Sequence, residues 1–186
     1  MEKQRCFWVT NDQIYIDYHD NEWGKPVFDD ETLFEFLILE SFQAGLSWLT
    51  ILKRRENFRQ AFDHFDVQKV ADYTNEKVDE LLQNDSIIRH RGKIEAAISN
   101  AKLFIEIQNK YGSFSKFIWR YVNNQPIVSH YKMKKEVPAT TPLSDQIAKD
   151  LKKIGFKFFG STTIYAFLQA IGIVNDHTVN CFCHNG

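Results

Sequence analysis

No stretch of this chain stays apolar for the roughly 18 to 20 residues that a bilayer-crossing helix requires, and the polar start MEKQRC lacks the apolar segment of a secretory signal. The expectation is a cytoplasmic protein with no membrane contact. Cysteine is also scarce. Three residues are an odd number with no repeating framework, which argues against a disulfide scaffold and leaves the thiols as metal ligands or small buried apolar groups. Proline (four) and glycine (eight) are few, and neither gathers into a linker or a low-complexity tract; no internal repeat is found. Charge of one sign is lacking as well, with a net of −1 and a pI near 6.6. Any contact with nucleic acid must therefore come from a local patch. Two segments offer one, Arg89, His90, Arg91 and Lys93, then Lys149, Lys152, Lys153 and Lys157, although such runs are most often solvated helix faces.

What is present is an ordinary globular composition, 44% hydrophobic and 25% charged, enough to bury a sizeable core. Helical spacing recurs while period-two alternation is rare, so the fold class is all-α and residues 1–186 read as a single unit. Leu33, Phe34, Leu37 and Ile38 follow the capping residues Asp29 and Asp30, and a second helix is expected to start near Gly45. Further helices are marked by Val78, Leu81 and Leu82, by Ile94 to Ile105, and by Phe114 to Tyr121. Three prolines between Asn123 and Pro142 disfavour helix there. Thr141 or Ser144 then opens a helix that Gly155 stops, and Gly160, Ser161 and Thr162 open the next. The first 25 residues and the last 15 read as irregular.

Two groups of residues carry chemistry. Cys6 and His19 near one end, with His177 and Cys181 near the other, supply the donor set of a tetrahedral structural zinc site, and a metal there would lace the termini together. Cys183 and His184 are rival ligands. Four protein ligands leave no open position for water, which argues against a catalytic metal. The second group is Glu40 with Trp8, Tyr15, Tyr18, Trp23 and Trp48, an acid among rings of the kind that stack on a flat ligand. A lone glutamate at a helix end is more often half-exposed, and aromatic residues more often belong to the core. Periodicity does not choose between these readings.

Five runs add a resemblance: YHDNEWG (Tyr18 to Gly24), AGLSWLTILKRRENFR (Ala44 to Arg59), IIRHRGKIEA (Ile87 to Ala96), GFKFFGSTT (Gly155 to Thr163) and VNDHTVNC (Val174 to Cys181). In this order they resemble the DNA-3-methyladenine glycosylase I family of bacterial base-excision repair enzymes, over nearly the whole chain. The resemblance implies a helix-hairpin-helix glycosylase fold with a structural zinc ion on Cys6, His19, His177 and Cys181. It further implies that Glu40 is the carboxylate of the base pocket and that Trp8, Tyr15, Tyr18 and Trp48 enclose the base. Gly45 and Leu46 would be the wedge that fills the duplex gap. Apart from the resemblance, the backbone N–H groups of Gly160, Ser161 and Thr162 at a helix start can hold one phosphate, with Lys157 and Arg91 as additional contacts or, equally, ordinary surface charges. The implied partner is double-stranded DNA containing 3-methyladenine, bound by a monomer.

Three points depart from the family pattern or are read as minor. FKFFGST stands where the superfamily carries a more Gly-rich hairpin, Phe7 and Phe42 are candidates for reshaping the aromatic wall, and Asp176, beside a zinc ligand, reads as structural. Two rival classes remain: a zinc-stapled helical DNA-binding module without catalysis, which has no need of a carboxylate facing aromatics, and a metal-dependent nuclease or deaminase, whose turnover would vanish with the metal.

Overall fold

The computed structural model describes residues 3–184. Among them lie the helices α1 (Gln13–Asn21), α2 (Asp30–Phe42), α3 (Trp48–Ala61), α4 (Val67–Ala71), α5 (Asn75–Gln83), α6 (Arg91–Tyr111), α7 (Phe114–Trp119), α8 (Pro142–Ile154) and α9 (Ser161–Ala170). A short parallel pair, β1 (Ile127–Val128) beside β2 (Val174–Asn175), is the remaining regular element apart from single 3-10 turns. The helix ends follow local chemistry. Asp29 accepts a hydrogen bond from the Thr32 amide at 2.8 Å, and Thr141 with Ser144 closes a reciprocal capping box with Pro142 in the first turn. Gly155, at φ 115°, ends α8 in the left-handed conformation that a side chain would resist.

The molecule is organised around α2. Leu33, Phe34 and every residue from Phe36 to Phe42 are buried, so this helix has no solvent-facing stripe and holds any polar residue away from water. The 21-residue α6 packs on it and on α4, α5 and α7, while α9 covers another side of α2.

Several expectations need correction. The N-terminal region is not irregular throughout, because α1 lies within it, capped by the Asp12 side chain at 3.1 Å from the Ile14 amide. Its period was hidden because only Tyr18 and His19 of that helix are buried. The helix expected near Gly45 begins at Trp48, after Ser47 caps it. The five-residue α4 went unread, being too short to show a period.

The termini meet. Phe182 N donates to Gln4 O at 2.9 Å, and the chain around Gly24 to Val27 crosses the end of α9 through Gly24 N to Gln169 O at 3.0 Å and Val27 N to Ile171 O at 2.9 Å. At Gly172, whose φ is +71°, an added Cβ would lie 2.2 Å from the Lys25 carbonyl carbon. Only glycine allows the crossing. The Pro-bearing segment is irregular as its composition suggests, yet it is tied to the C-terminal residues: Ser129 N donates to Asn175 O and Val179 N to Tyr131 O. No helix among the described residues is long and apolar enough to cross a membrane.

Candidate active site: an aromatic slot with unpartnered polar atoms

Helix α2 delivers Glu40 to the floor of a cavity of about 260 Å³, walled by Trp8, Tyr15, Tyr18, Trp23 and Trp48, with Phe7, Gln43, Val137, Gln169 and Asp176 also facing it. The rings brace one another edge to face. Trp8 meets Tyr15 at 5.1 Å and Trp23 at 5.0 Å between centroids, and Tyr18 stands 5.8 Å from Trp48. Such pairs hold the wall in shape beyond simple burial. About 150 Å³ suffices for a single benzene ring, so the slot has room for a fused bicyclic one. Glu40, expected from base rates to be half-exposed, is 3% exposed. The signal was in LFEFLILE, whose four apolar residues Phe36 to Leu39 run directly into the glutamate.

Among the described residues, four buried polar atoms have no hydrogen-bond partner: Trp8 Nε1, Tyr18 Oη, Glu40 Oε2 and Trp48 Nε1. All four belong to residues of this one slot. An unmet buried polar group costs about 1–3 kcal/mol, and four in one place mean that the fold tolerates the deficit for something that enters. Burial also pushes the Glu40 carboxyl up to about 8. The free slot therefore holds a protonated, neutral acid near pH 7, which an arriving cation would draw toward the carboxylate. Buried Tyr18 is pushed well up by the same loss of water, with Glu40 adding to it.

Asp176 is both structural and slot-facing. Its carboxylate accepts from Ser129 Oγ at 2.6 Å, from Gln169 Nε2 at 2.8 Å and from the Tyr165 hydroxyl. Phe42 does not belong to the wall: it is fully buried and packs on Phe58 and Phe62. Phe7, 47% exposed, is at the rim. Gln43, Gln169 and Val137 were missed, since nothing in their local sequence marks them.

Beside the slot, Cys6, His19, His177 and Cys181 gather with all ligand atoms within 4.8 Å of one another, every residue buried. Sulfur to nitrogen separations are 3.4 Å (Cys6 to His177 Nδ1), 3.4 Å (Cys181 to His19 Nε2) and 3.5 Å (Cys181 to His177 Nδ1). A tetrahedron with ordinary zinc bond lengths places S and N about 3.5 Å apart, so the four donors fit the ion. The outer ring nitrogens are held as metal-bound imidazoles require: His19 Nδ1 faces the Asp20 carboxylate at 2.8 Å, which Arg5 grips in turn, and His177 Nε2 faces Trp23 O at 2.9 Å. His177 and Cys181, four residues apart, do not lie on a helix; a hydrogen-bonded turn from Thr178 to Cys181 brings them together. Of the rival ligands, Cys183 forms a second, less buried group with His19 and Asp20, and its amide donates to Cys181 Sγ at 3.4 Å, while His184 Nε2 faces Ser129 O.

The cluster and the slot share their walls. Trp8 packs on His19 at 5.2 Å and Trp23 on His177 at 4.7 Å.

The candidate DNA contacts lie on the surface. Gly45 and Leu46 occupy an exposed loop between α2 and α3, Gly45 at φ +81° and Leu46 at 38% exposure. Lys157, Gly160 and Thr162 are exposed at the turn from α8 to α9, whose backbone Asn100 clamps through Lys157 N at 3.0 Å and Lys157 O at 3.1 Å. Among the described residues no side chain caps α9. The Ser161 hydroxyl is already engaged by Asp145 and Ser144, so only its backbone N–H is left for an anion. Arg91 is paired with Asp79 and Glu95, which explains it as a surface charge.

A helical scaffold whose central helix presents a carboxyl to a ring-walled, donor-lined slot defines a protein that encloses a flat heterocycle. Residues 8–184 match the family model for methyladenine glycosylase. The chain is 50% identical to DNA-3-methyladenine glycosylase 1 of Escherichia coli strain K12, with 98% of each chain covered. Its structure superposes on a crystal structure of 3-methyladenine DNA glycosylase I with TM-score 0.95 and 52% identity, covering 98% of this chain and all of that one. A variant of 3-methyladenine DNA glycosylase I in complex with 3-methyladenine matches with TM-score 0.94 and 41% identity, 98% of each chain being covered. This chain belongs to the methyladenine glycosylase family.

Proposed function

We propose that this protein excises 3-methyladenine from alkylated double-stranded DNA by hydrolysing its N-glycosidic bond, and that residues 1–186 act as one glycosylase unit. The observation that carries the reading is the slot with four unpartnered polar atoms, one of them a carboxyl oxygen. Methylation at N3 makes the adenine of a nucleoside cationic, so the bond to the sugar is already weak. Breaking it leaves the electron pair on a neutral base, while water adds hydroxide to the sugar carbon and releases a proton. The leaving group needs no acid.

The protein's part is access, recognition and electrostatic support. Extruding a nucleotide costs a few kcal/mol, least for damaged bases, and Leu46 at the tip of its exposed loop is placed to fill the vacated gap. Packed against Trp48 and Tyr18, whose centroids at 5.8 Å leave no gap for a ring between them, a cationic ring gains attraction of about 0.5–2 kcal/mol that neutral adenine lacks. As the positive ring arrives, Glu40 releases its proton to bulk water and accepts from the exocyclic amine; once the base leaves as a neutral molecule, the buried carboxylate loses its counter-charge, takes a proton back from water and release is favoured. A phosphate is held at the uncapped start of α9, beside Gly160 and Lys157, by the helix-hairpin-helix element that α8 and α9 form. Cys6, His19, His177 and Cys181 hold one zinc ion, which supplies structural cross-linking.

Incubating the protein with methylated duplex and chromatographing the free bases tests this. Free 3-methyladenine is expected, and Glu40→Gln should slow its release at least about 100-fold while leaving the fold unchanged. A DNA-binding module without catalysis would release no base at all, and undiminished turnover by the Gln variant would remove Glu40 from the reaction.

A further inference from the structure

Lys93 sits where simple electrostatics disfavours a cation. It is 6% exposed and lies in the first turn of α6, the positive end of that helix's dipole. Among the described residues no carboxylate pairs with it, and burial alone lowers its pKa. Its Nζ donates to two backbone carbonyls, Phe42 O at 3.2 Å and Ala44 O at 3.5 Å. Those carbonyls flank Gln43, which faces the slot, and they anchor the segment that continues into Gly45 and Leu46. The other hydrogen bonds of this turn are local: Gln43 N to Glu40 O, Leu46 N to Gln43 O, and Gln43 Nε2 to Leu46 O. Among the described residues, Lys93 is the one side chain from another element bonded to residues 42–46.

We propose that Lys93 is a positioning residue for base extrusion, its ammonium gripping the carbonyls of Phe42 and Ala44 so that Leu46 stands ready to enter the duplex. The inference rests on the glycosylase reading above. A helix end receives stabilisation from a cation at its last carbonyls, and here the end so capped is that of the helix carrying Glu40, so one ammonium sets the height of the wedge relative to the slot floor. The grip does not touch the slot's rings. Losing it should therefore leave recognition of a free base intact and impair only the step in which the duplex resists.

The test compares wild type, Lys93→Met and Lys93→Arg in three measurements. These are single-turnover release from duplex, release of the same lesion from a single strand, and calorimetric binding of free 3-methyladenine. Lys93→Met is expected to slow duplex release by about 10- to 100-fold, the penalty of a misplaced group, with little loss on the single strand and unchanged affinity for the base. Lys93→Arg, which keeps charge and donors, should restore most of the duplex rate. Equal rates for wild type and Lys93→Met on duplex would overturn the proposal. So would an equal loss on duplex and single strand, or a weakened base affinity, each of which makes Lys93 a support of the slot. Should Lys93→Met not fold, Lys93→Gln, which keeps a donor without the charge, enters the same comparison. If wild type itself releases no base from either substrate, the glycosylase reading fails, and not the positioning role.

Discussion

At the scale of single residues, Glu40 joins stability to function with opposite signs. Its carboxyl is raised by burial from 4.5 to about 8, so the folded protein binds a proton there that the unfolded chain releases. The stability linked to that proton is complete below about pH 4.5 and is lost progressively as pH rises to about 8. Glu40→Gln removes the dependence. The free variant should equal wild type in unfolding free energy near pH 4 and exceed it increasingly toward pH 8, by an amount on the order of a few kcal/mol; parallel stability curves across that range would show that the carboxyl is not desolvated. The residue was picked out as the glutamate that ends LFEFLILE and its role came from the family resemblance, but its protonation was not readable, because that depends on which helices close over it. The four metal-binding candidates were readable by residue type, whereas their convergence depends on the crossing of the two termini. That Gln43 and Asp176 face the slot could not be read from sequence: amide and carboxyl side chains are common, and only the tertiary path brings these two there.

At the scale of elements, the connection from α8 to α9 invites a test because its glycine is not demanded by the backbone. Gly160 has an ordinary φ of −70°, and a Cβ there meets nothing within 4 Å. Gly160→Ala should change folding stability by less than about 1 kcal/mol, a weaker cap being offset by lower chain entropy. If a phosphate approaches the first turn of α9, the methyl group stands in its way, and affinity for undamaged duplex should fall by about tenfold, as the loss of one charge-assisted contact implies. Denaturant titration and a binding isotherm measure the two; unchanged affinity would move the phosphate elsewhere. Long helices were visible in the sequence because a two-sided pattern repeats in them, as Ile94, Ala97, Ala101 and Phe104 do in α6. Helix α1 escaped notice because its inner face is built from Tyr18 and His19, residues that a hydrophobicity pattern scores as neutral, and the start of α3 was displaced because the exposed Leu46 imitates the first apolar position of a helix.

At the scale of the whole molecule, the metal cluster and the slot are one construction. Cys6 lies two residues before Trp8, and His19 follows Tyr18 directly, so whatever fixes the ligands also fixes two walls of the slot. Removing a bound metal with a chelator should lower the unfolding midpoint by about 10 °C or more, and excision should decline only as the termini separate. Loss of turnover at an unchanged midpoint would assign the metal to the chemistry instead. Fold class was plain from composition and period; the joining of the termini was not, since contacts such as Phe182 to Gln4 are as remote in sequence as the chain permits. The gathering of indole rings has a further consequence. Trp8, Trp23 and Trp48 line the slot while Trp119 is buried away from it, so three of the four tryptophans share their excited state with any ring that enters. The protein carries its own optical reporter, and an unlabelled solution would dim as the site fills.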